Sequence, residues 1–68
     1  MEMNYSNAIL QLRAKLNLSQ ENLASLLGVS FTSVNRWENG HNEPTKLVKV
    51  RLNELLKDNN IELKGVEE

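Results

Sequence analysis

The residues best suited to chemistry lie between positions 31 and 39, in a short helical pattern. Val34 and Trp37 recur there at a three-residue step, which predicts that they point inward. The outward side then holds Phe31, Thr32, Ser33, Asn35 and Arg36. Arginine forms paired hydrogen bonds with the edge of guanine, asparagine does so with adenine, and an aromatic ring can contact the methyl group of thymine. This side of the pattern is therefore suited to binding the edges of bases.

Residues suited to catalysis or metal binding are scarce. The chain has no cysteine, which excludes a disulfide framework and a thiolate metal site. His41 is the single histidine, and its place in a loop beside Gly40 favours a solvated or phosphate-facing side chain over a general base. No His/Cys cluster or glycine-rich phosphate loop occurs. We expect no enzyme, no metal, no cofactor and no small-molecule substrate.

Two short amphipathic patterns hinged at Gly28 must position the outward residues. Ser19 can cap the first helix, whose buried face would consist of Leu23, Ala24 and Leu27. Gly28 fits the left-handed position after a helix, where a side chain would cost conformational energy. Ser30 can cap the second helix and Gly40 ends it, so residues 20–39 predict a helix-turn-helix.

Another predicted helix precedes this unit. Its inner face would consist of Tyr5, Ala8, Ile9, Leu12 and Leu16. Asn4 or Ser6 can cap its start, Asn17 can end it, and Leu18 is expected to be buried beneath the joint.

A fourth helix is predicted after Pro44, which prevents the third from continuing. It would run from a cap at Thr45 to about Lys57 and be stopped by Asp58, Asn59 and Asn60. Its core residues would be Leu47 or Val48, then Leu52, Leu55 and Leu56. The expected fold is therefore all-α, with four or five short helices. Residues 1–58 would form the domain and residues 59–68 an acidic tail.

The net charge of −1 hides an uneven distribution. Residues 1–57 carry seven basic and five acidic side chains, whereas residues 58–68 carry one basic and four acidic side chains. The body is thus mildly basic, which predicts few phosphate contacts and a modest, salt-sensitive affinity for each subunit. No stretch is apolar for long enough to span a membrane, and the N-terminus does not resemble a signal peptide, so a cytoplasmic location is expected.

The segment from Leu12 to Thr45 resembles the Cro/C1-type (XRE, lambda-repressor-like) helix-turn-helix family. The motifs that carry the resemblance are Leu18-Ser19-Gln20, Leu23-Ala24, Leu27-Gly28-Val29-Ser30 and Trp37-Glu38-Asn39-Gly40 followed by a proline. The resemblance implies a lambda-repressor-like domain that binds double-stranded DNA in the major groove, in a sequence-specific transcriptional regulator that is often a homodimer on an inverted repeat. The family domain generally has five helices, whereas this chain offers one long helix and a tail after Pro44.

The resemblance also implies roles for individual residues. It places Phe31, Thr32, Asn35 and Arg36 at base-facing positions. Phosphate contacts would come from Ser19, Gln20, Asn39, His41, Asn42 and Lys46. Glu43 departs from the usual basic character of the loop and would repel phosphate. Arg13 and Glu38 would form a structural ion pair between the first and third helices.

Several alternatives remain open from the sequence. Phe31 either faces a base or folds back onto the preceding helix. Arg36 binds a base, binds a phosphate or is only a solvated surface charge. Trp37 is interpreted as a core residue because it lies on the Val34 face. Ile61 and Leu63 either add a strand across a dimer axis or fold back over the small core. A second functional hypothesis is an antitoxin or other regulator that uses the same fold to bind a protein partner.

Overall fold

Four helices follow one another along residues 5–61, which are the residues that the computed structural model describes. They are α1 (Tyr5–Leu16), α2 (Gln20–Leu27), α3 (Phe31–Glu38) and α4 (Lys46–Asp58). The prediction of an all-α domain with a helix-turn-helix at 20–39 is confirmed. Between residues 5 and 61 there is no strand and no fifth helix. None of the described helices is both long and apolar enough to cross a bilayer.

All four helices end through the same backbone arrangement. The terminating residues Asn17, Gly28, Gly40 and Asn60 have positive φ angles of 58°, 73°, 77° and 59°. The next backbone N–H then donates to the carbonyl five residues earlier, as from Leu18 to Arg13 at 2.9 Å. Glycine and asparagine tolerate this left-handed conformation best, which is why the sequence predicts the stops. The chain reverses within two residues at each end, so short helices can pack closely.

Serine side chains start the two helices of the motif. The hydroxyls of Ser19 and Ser30 accept hydrogen bonds from the N–H groups of Asn22 and Ser33, at 3.0 and 3.2 Å. Thr45 occupies the corresponding position before α4, but its side chain makes no capping hydrogen bond.

The proposed cap of α1 at Ser6 is wrong. This residue lies inside the first turn, and its hydroxyl donates to the backbone carbonyl of Glu38 at 2.6 Å. Ser6 therefore links the start of α1 to the end of α3. The other proposed cap, Asn4, lies outside the described residues.

One apolar core joins the helices, and α3 packs against both α1 and α2 while α4 contacts the same two helices. The buried residues are Tyr5, Ala8, Ile9, Leu12, Leu23, Ala24, Leu27, Val34, Trp37, Leu52, Leu56 and Ile61. Trp37 lies in the core as predicted. Val48, not Leu47, packs against the core from α4, which resolves that alternative.

Two apolar residues near the ends of α1 and α4 differ in their burial. Leu16 is 37% exposed, contrary to prediction, because the chain turns at Asn17 and Leu18 packs against the core from beyond the turn. Ile61 folds back over the core after the turn at Asn60 and is 8% exposed. Leu63 and the remainder of the predicted strand lie outside the described residues.

Candidate nucleic-acid interface

The outward side of α3 carries the four residues predicted to face bases. Phe31, Thr32 and Arg36 are exposed, while Asn35 is half-buried. Phe31 is 48% exposed and is not part of the core. Among residues 5–61 the side chain of Arg36 has no hydrogen-bond or ion-pair partner. Its planar array of five N–H donors is therefore available to a ligand.

The C-terminal end of α3 is fixed by an ion pair with α1. The Nε and Nη2 atoms of Arg13 donate to the two carboxylate oxygens of Glu38 at 2.7 and 3.1 Å, and its Nη1 donates to the carbonyl of Leu18 at 3.2 Å. The hydrogen bond with Glu38 is the main reason that the pKa of Arg13 is raised. The side chain of Glu38 is only 5% exposed. The pair thus holds the end of α3 against α1 and the α1–α2 connection.

Gln20 connects this ion pair to the outward side of α3. Its Nε2 donates to Oε1 of Glu38 at 2.7 Å, and its Oε1 accepts from Nδ2 of Asn35 at 3.4 Å. Sequence analysis predicted a phosphate contact for Gln20 and did not identify these partners. The interhelical angle that brings them together depends on core packing, which no local pattern specifies.

Asn39 continues this series of hydrogen-bonded side chains along the surface. Its Nδ2 donates to the backbone carbonyl of Asn35 at 2.9 Å and to the side-chain Oδ1 of the same residue at 3.2 Å. The four-residue spacing of the two asparagines could have predicted this contact, since such residues are neighbours on a helix. The row Arg13–Glu38–Gln20–Asn35–Asn39, here called the polar row, therefore joins three helices and reaches the candidate interface.

The other predicted phosphate contacts lie at three places around α3. Ser19 immediately precedes α2, His41 and Asn42 follow the end of α3, and Lys46 begins α4. All four are exposed. Within the described part of the chain, none of their side chains bonds to the polar row. The hydroxyl of Ser19 is already engaged in capping α2.

Glu43 does not stand as an isolated negative charge in the loop. Its Oε1 lies 2.8 Å from Nζ of Lys49, which also lies 5.2 Å from the centre of the Tyr5 ring. The hydrogen bond to Glu43 is the main reason that the pKa of Lys49 is raised. Sequence reasoning missed Lys49, because the six-residue spacing crosses from a loop into a helix. The pairing reduces the repulsion that Glu43 would exert on a phosphate.

A capped two-helix unit with an exposed polar side on its second helix defines the helix-turn-helix DNA-binding class. The chain belongs to the Cro/C1-type helix-turn-helix family, because the family model HTH_3 (Helix-turn-helix) matches residues 9–57. This is a family of DNA-binding transcription regulators.

A curated relative is similar over most of this chain. The HTH-type transcriptional activator BcrR of Enterococcus faecalis is 37% identical over 62 residues, covering 79% of this chain and 30% of the relative. The chain thus matches less than a third of that protein's length. No solved structure matches the chain significantly.

Proposed function

We propose that the chain binds DNA sequence-specifically through the outward side of α3 and regulates transcription. Phe31, Thr32, Asn35 and Arg36 would contact base edges in the major groove, with Arg36 paired to guanine or a phosphate. The observation that carries the proposal is that Arg36 is unpaired and exposed while the end of the same helix is held to α1 through Glu38. A rigid helix with free donors needs little reorganisation on binding.

Phosphate contacts would orient α3 in the groove. Ser19 and Gln20 would present backbone amides at the start of α2, a position that favours anions. Asn39, His41 and Asn42 would contact the backbone of the DNA beyond the end of α3, while Lys46, which was also predicted to contact phosphate, would instead face a second copy of the chain. With a net charge of only +2 over residues 1–57, each domain would bind modestly and lose affinity steeply as salt rises.

Selection from random duplex DNA at two salt concentrations tests the proposal. The bound pool is expected to be enriched in one motif, and Arg36→Ala should reduce its affinity at least tenfold. Arg51→Ala is the matched control, because it removes the same charge from an exposed position on α4. Absence of any enriched motif, or equal losses from the two variants, would contradict sequence-specific reading by α3.

We infer further that the chain acts as a homodimer that pairs through the outer face of α4. Leu47 and Val50 are 85% and 61% exposed on this face. Lys46 and Glu54 lie four residues on either side of Val50. In an antiparallel pair that crosses at Val50, Lys46 of each copy would lie near Glu54 of the other. This charge pattern favours a second copy as the occupant.

The dimensions of the domain are compatible with such a dimer. Its principal extents are 32 × 24 × 20 Å, so two copies side by side can present their recognition helices about 34 Å apart, one turn of duplex. The selected motif would then be an inverted repeat. Two recognition helices bound to one site would also compensate for the low affinity that the weak positive charge gives to each domain.

Sedimentation distinguishes this interface from one formed by the tail. Lys46→Glu and Glu54→Lys should each weaken the dimer, because each places like charges together, and the double exchange should restore it. Removal of residues 62–68 should leave dimerisation unchanged. If only the truncation dissociates the dimer, the tail pairs the subunits and the α4 interface is wrong.

We also propose that the domain is non-catalytic, acts in the cytoplasm beside the DNA and is followed by an acidic extension, with the predicted boundary at residue 58 moved to Ile61 because Ile61 is buried in the core. The DNA-binding family supports a binding role. Fractionation of cells that express the chain, with DNA crosslinking, tests the location.

A further inference from the structure

The polar row has a fixed direction of hydrogen bonding, set at both of its ends. A carboxylate only accepts hydrogen bonds, so Glu38 requires Gln20 to present its NH2 group and to turn its oxygen towards Asn35. At the other end, the backbone carbonyl of Asn35 also only accepts, so Asn39 must present its NH2 group. Both constraints give Asn35 the same orientation, with its nitrogen towards Gln20 and its oxygen towards Asn39.

We propose that Glu38 is a positioning residue that determines, through Gln20, how the Asn35 amide is presented to a base. In this orientation Asn35 retains one free N–H and one free lone pair. That donor–acceptor pair complements N7 and the N6 amino group of adenine in the major groove. Glu38 itself is 5% exposed at its side chain and would act without touching DNA. The inference rests on the proposed function and deepens it.

Replacement of Glu38 by glutamine should reverse the orientation that this residue imposes on the amide of Gln20. Arg13 only donates, through Nε at 2.7 Å from Oε2 and through Nη2 at 3.1 Å from Oε1, the oxygen that also accepts from Gln20. Because Nε lies closer than Nη2 and the Gln20 amide can turn over, Nε should keep the oxygen of a glutamine at this position and Nη2 should lose its acceptor. The NH2 group then faces Gln20, which must turn over and present its own NH2 group to Asn35. If Asn35 turns in response, its NH2 group meets the NH2 group of Asn39. The row can no longer satisfy every member, and the Asn35 amide loses its single orientation.

The test measures the base preference at the base pair of the DNA site that Asn35 contacts. This base pair is identified by comparing the sites selected by the wild type with those selected by Asn35→Ala. Glu38→Gln should lower the preference there at least tenfold, with the other positions and the affinity for non-specific DNA unchanged. Combining Glu38→Gln with Asn35→Ala should lower it no further than Asn35→Ala alone, because both changes act on the same contact.

Arg13→Ala is the matched control. It removes the ion pair but leaves a carboxylate facing Gln20, so the base preference should survive any loss of stability. If Arg13→Ala reduces the preference as much as Glu38→Gln, or if Glu38→Gln weakens all positions equally, the role of Glu38 is only structural and the inference is overturned. Should Glu38→Gln fail to fold by circular dichroism, Gln20→Leu breaks the same relay without removing the ion pair and is expected to have the same effect.

The result separates this inference from the proposed function. If the wild type selects no motif, sequence-specific binding itself fails. If the wild type selects a motif and both Glu38→Gln and Gln20→Leu keep the full preference at the Asn35 position, DNA reading stands and only the positioning role of Glu38 is wrong.

Discussion

Three N–H groups from two helices converge on the carboxylate of Glu38 at the end of α3. Two come from Arg13 and one from Gln20, at distances between 2.7 and 3.1 Å. Hydrogen bonds to a charged acceptor are stronger than neutral ones, and a nearly buried carboxylate is costly to leave unpaired. At the scale of single residues, Glu38 is therefore the point at which a substitution should have the largest polar effect.

Removal of either partner of the Arg13–Glu38 ion pair is expected to lower the free energy of unfolding. Glu38→Ala should reduce the free energy of unfolding by about 2 kcal/mol, because it leaves the donors of Arg13 and Gln20 unsatisfied. Arg13→Ala should cost a comparable amount, because it leaves the carboxylate of Glu38, whose side chain is 5% exposed, without its cation and with Gln20 as its remaining donor, whereas the Arg13 left by Glu38→Ala is 23% exposed and can be solvated. Urea unfolding of the two single variants and the double variant gives the coupling. Additive losses would mean that the pair contributes no interaction energy.

The residues of the site were only partly predictable. The types and spacing of Phe31, Thr32 and Arg36 were sufficient to predict their exposure, because helical periodicity alone sets which side faces the core. The contact between Gln20 and Asn35 was not predictable. The two residues lie fifteen residues apart and meet only because the turn at Gly28 fixes the angle between α2 and α3.

Capping distinguishes the elements of the motif from α4. The side chains of Ser19 and Ser30 each accept a hydrogen bond from an N–H in the first turn of their helix, whereas that of Thr45 does not. Short helices depend strongly on such bonds, because a helix of eight residues has few internal hydrogen bonds to oppose its loss of entropy. The start of α3 is thus defined by its cap, while the start of α4 depends more on Pro44, which is buried.

This difference gives a matched pair of substitutions. Ser30→Ala should destabilise the protein by about 1 kcal/mol, because it removes the capping bond to Ser33. Thr45→Ala should cost well below that value, since no capping bond is lost. Thermal unfolding followed by circular dichroism measures both changes. Equal losses from the two substitutions would show that the capping bond of Ser30 is not a source of stability.

The element bounds were largely predictable because each helix carries its own local signals. Serine before the helix and glycine or asparagine after it specify the ends in α2 and α3. Ser6 and Leu16 departed from prediction for non-local reasons. Ser6 binds the distant carbonyl of Glu38, and the turn at Asn17 lets Leu18 take the place next to the core.

At the scale of the whole molecule, the single apolar core includes one residue that lies beyond the last helix. Ile61 is 8% exposed, and its N–H donates to the carbonyl of Leu56 at 2.8 Å. A chain of this size buries a smaller fraction of its surface than a larger domain does, so each of its core side chains matters more. The sequence left the location of Ile61 open, because alternation of apolar and charged residues fits either a strand or a returning chain end.

Ile61→Ala should therefore behave as a core substitution. It is expected to lower the free energy of unfolding by about 2 kcal/mol, which corresponds to a fall in Tm of roughly 10 °C for a domain this small. Leu47→Ala, at a residue that is 85% exposed, is the comparison and should change stability little in dilute solution. A similar Tm for both variants would mean that Ile61 is not part of the cooperative core.

The hydrogen bonds around Asn39 also bear on the chemical ageing of the chain. An asparagine followed by glycine deamidates when the glycine nitrogen attacks the asparagine side-chain carbonyl. Here that nitrogen, on Gly40, is engaged with the carbonyl of Trp37 at 3.1 Å, and the Asn39 amide is bonded twice to Asn35. Deamidation should therefore be slow in the folded protein and follow the opening of this end of α3. The aspartate it produced would face two oxygen atoms of Asn35 and disrupt the polar row.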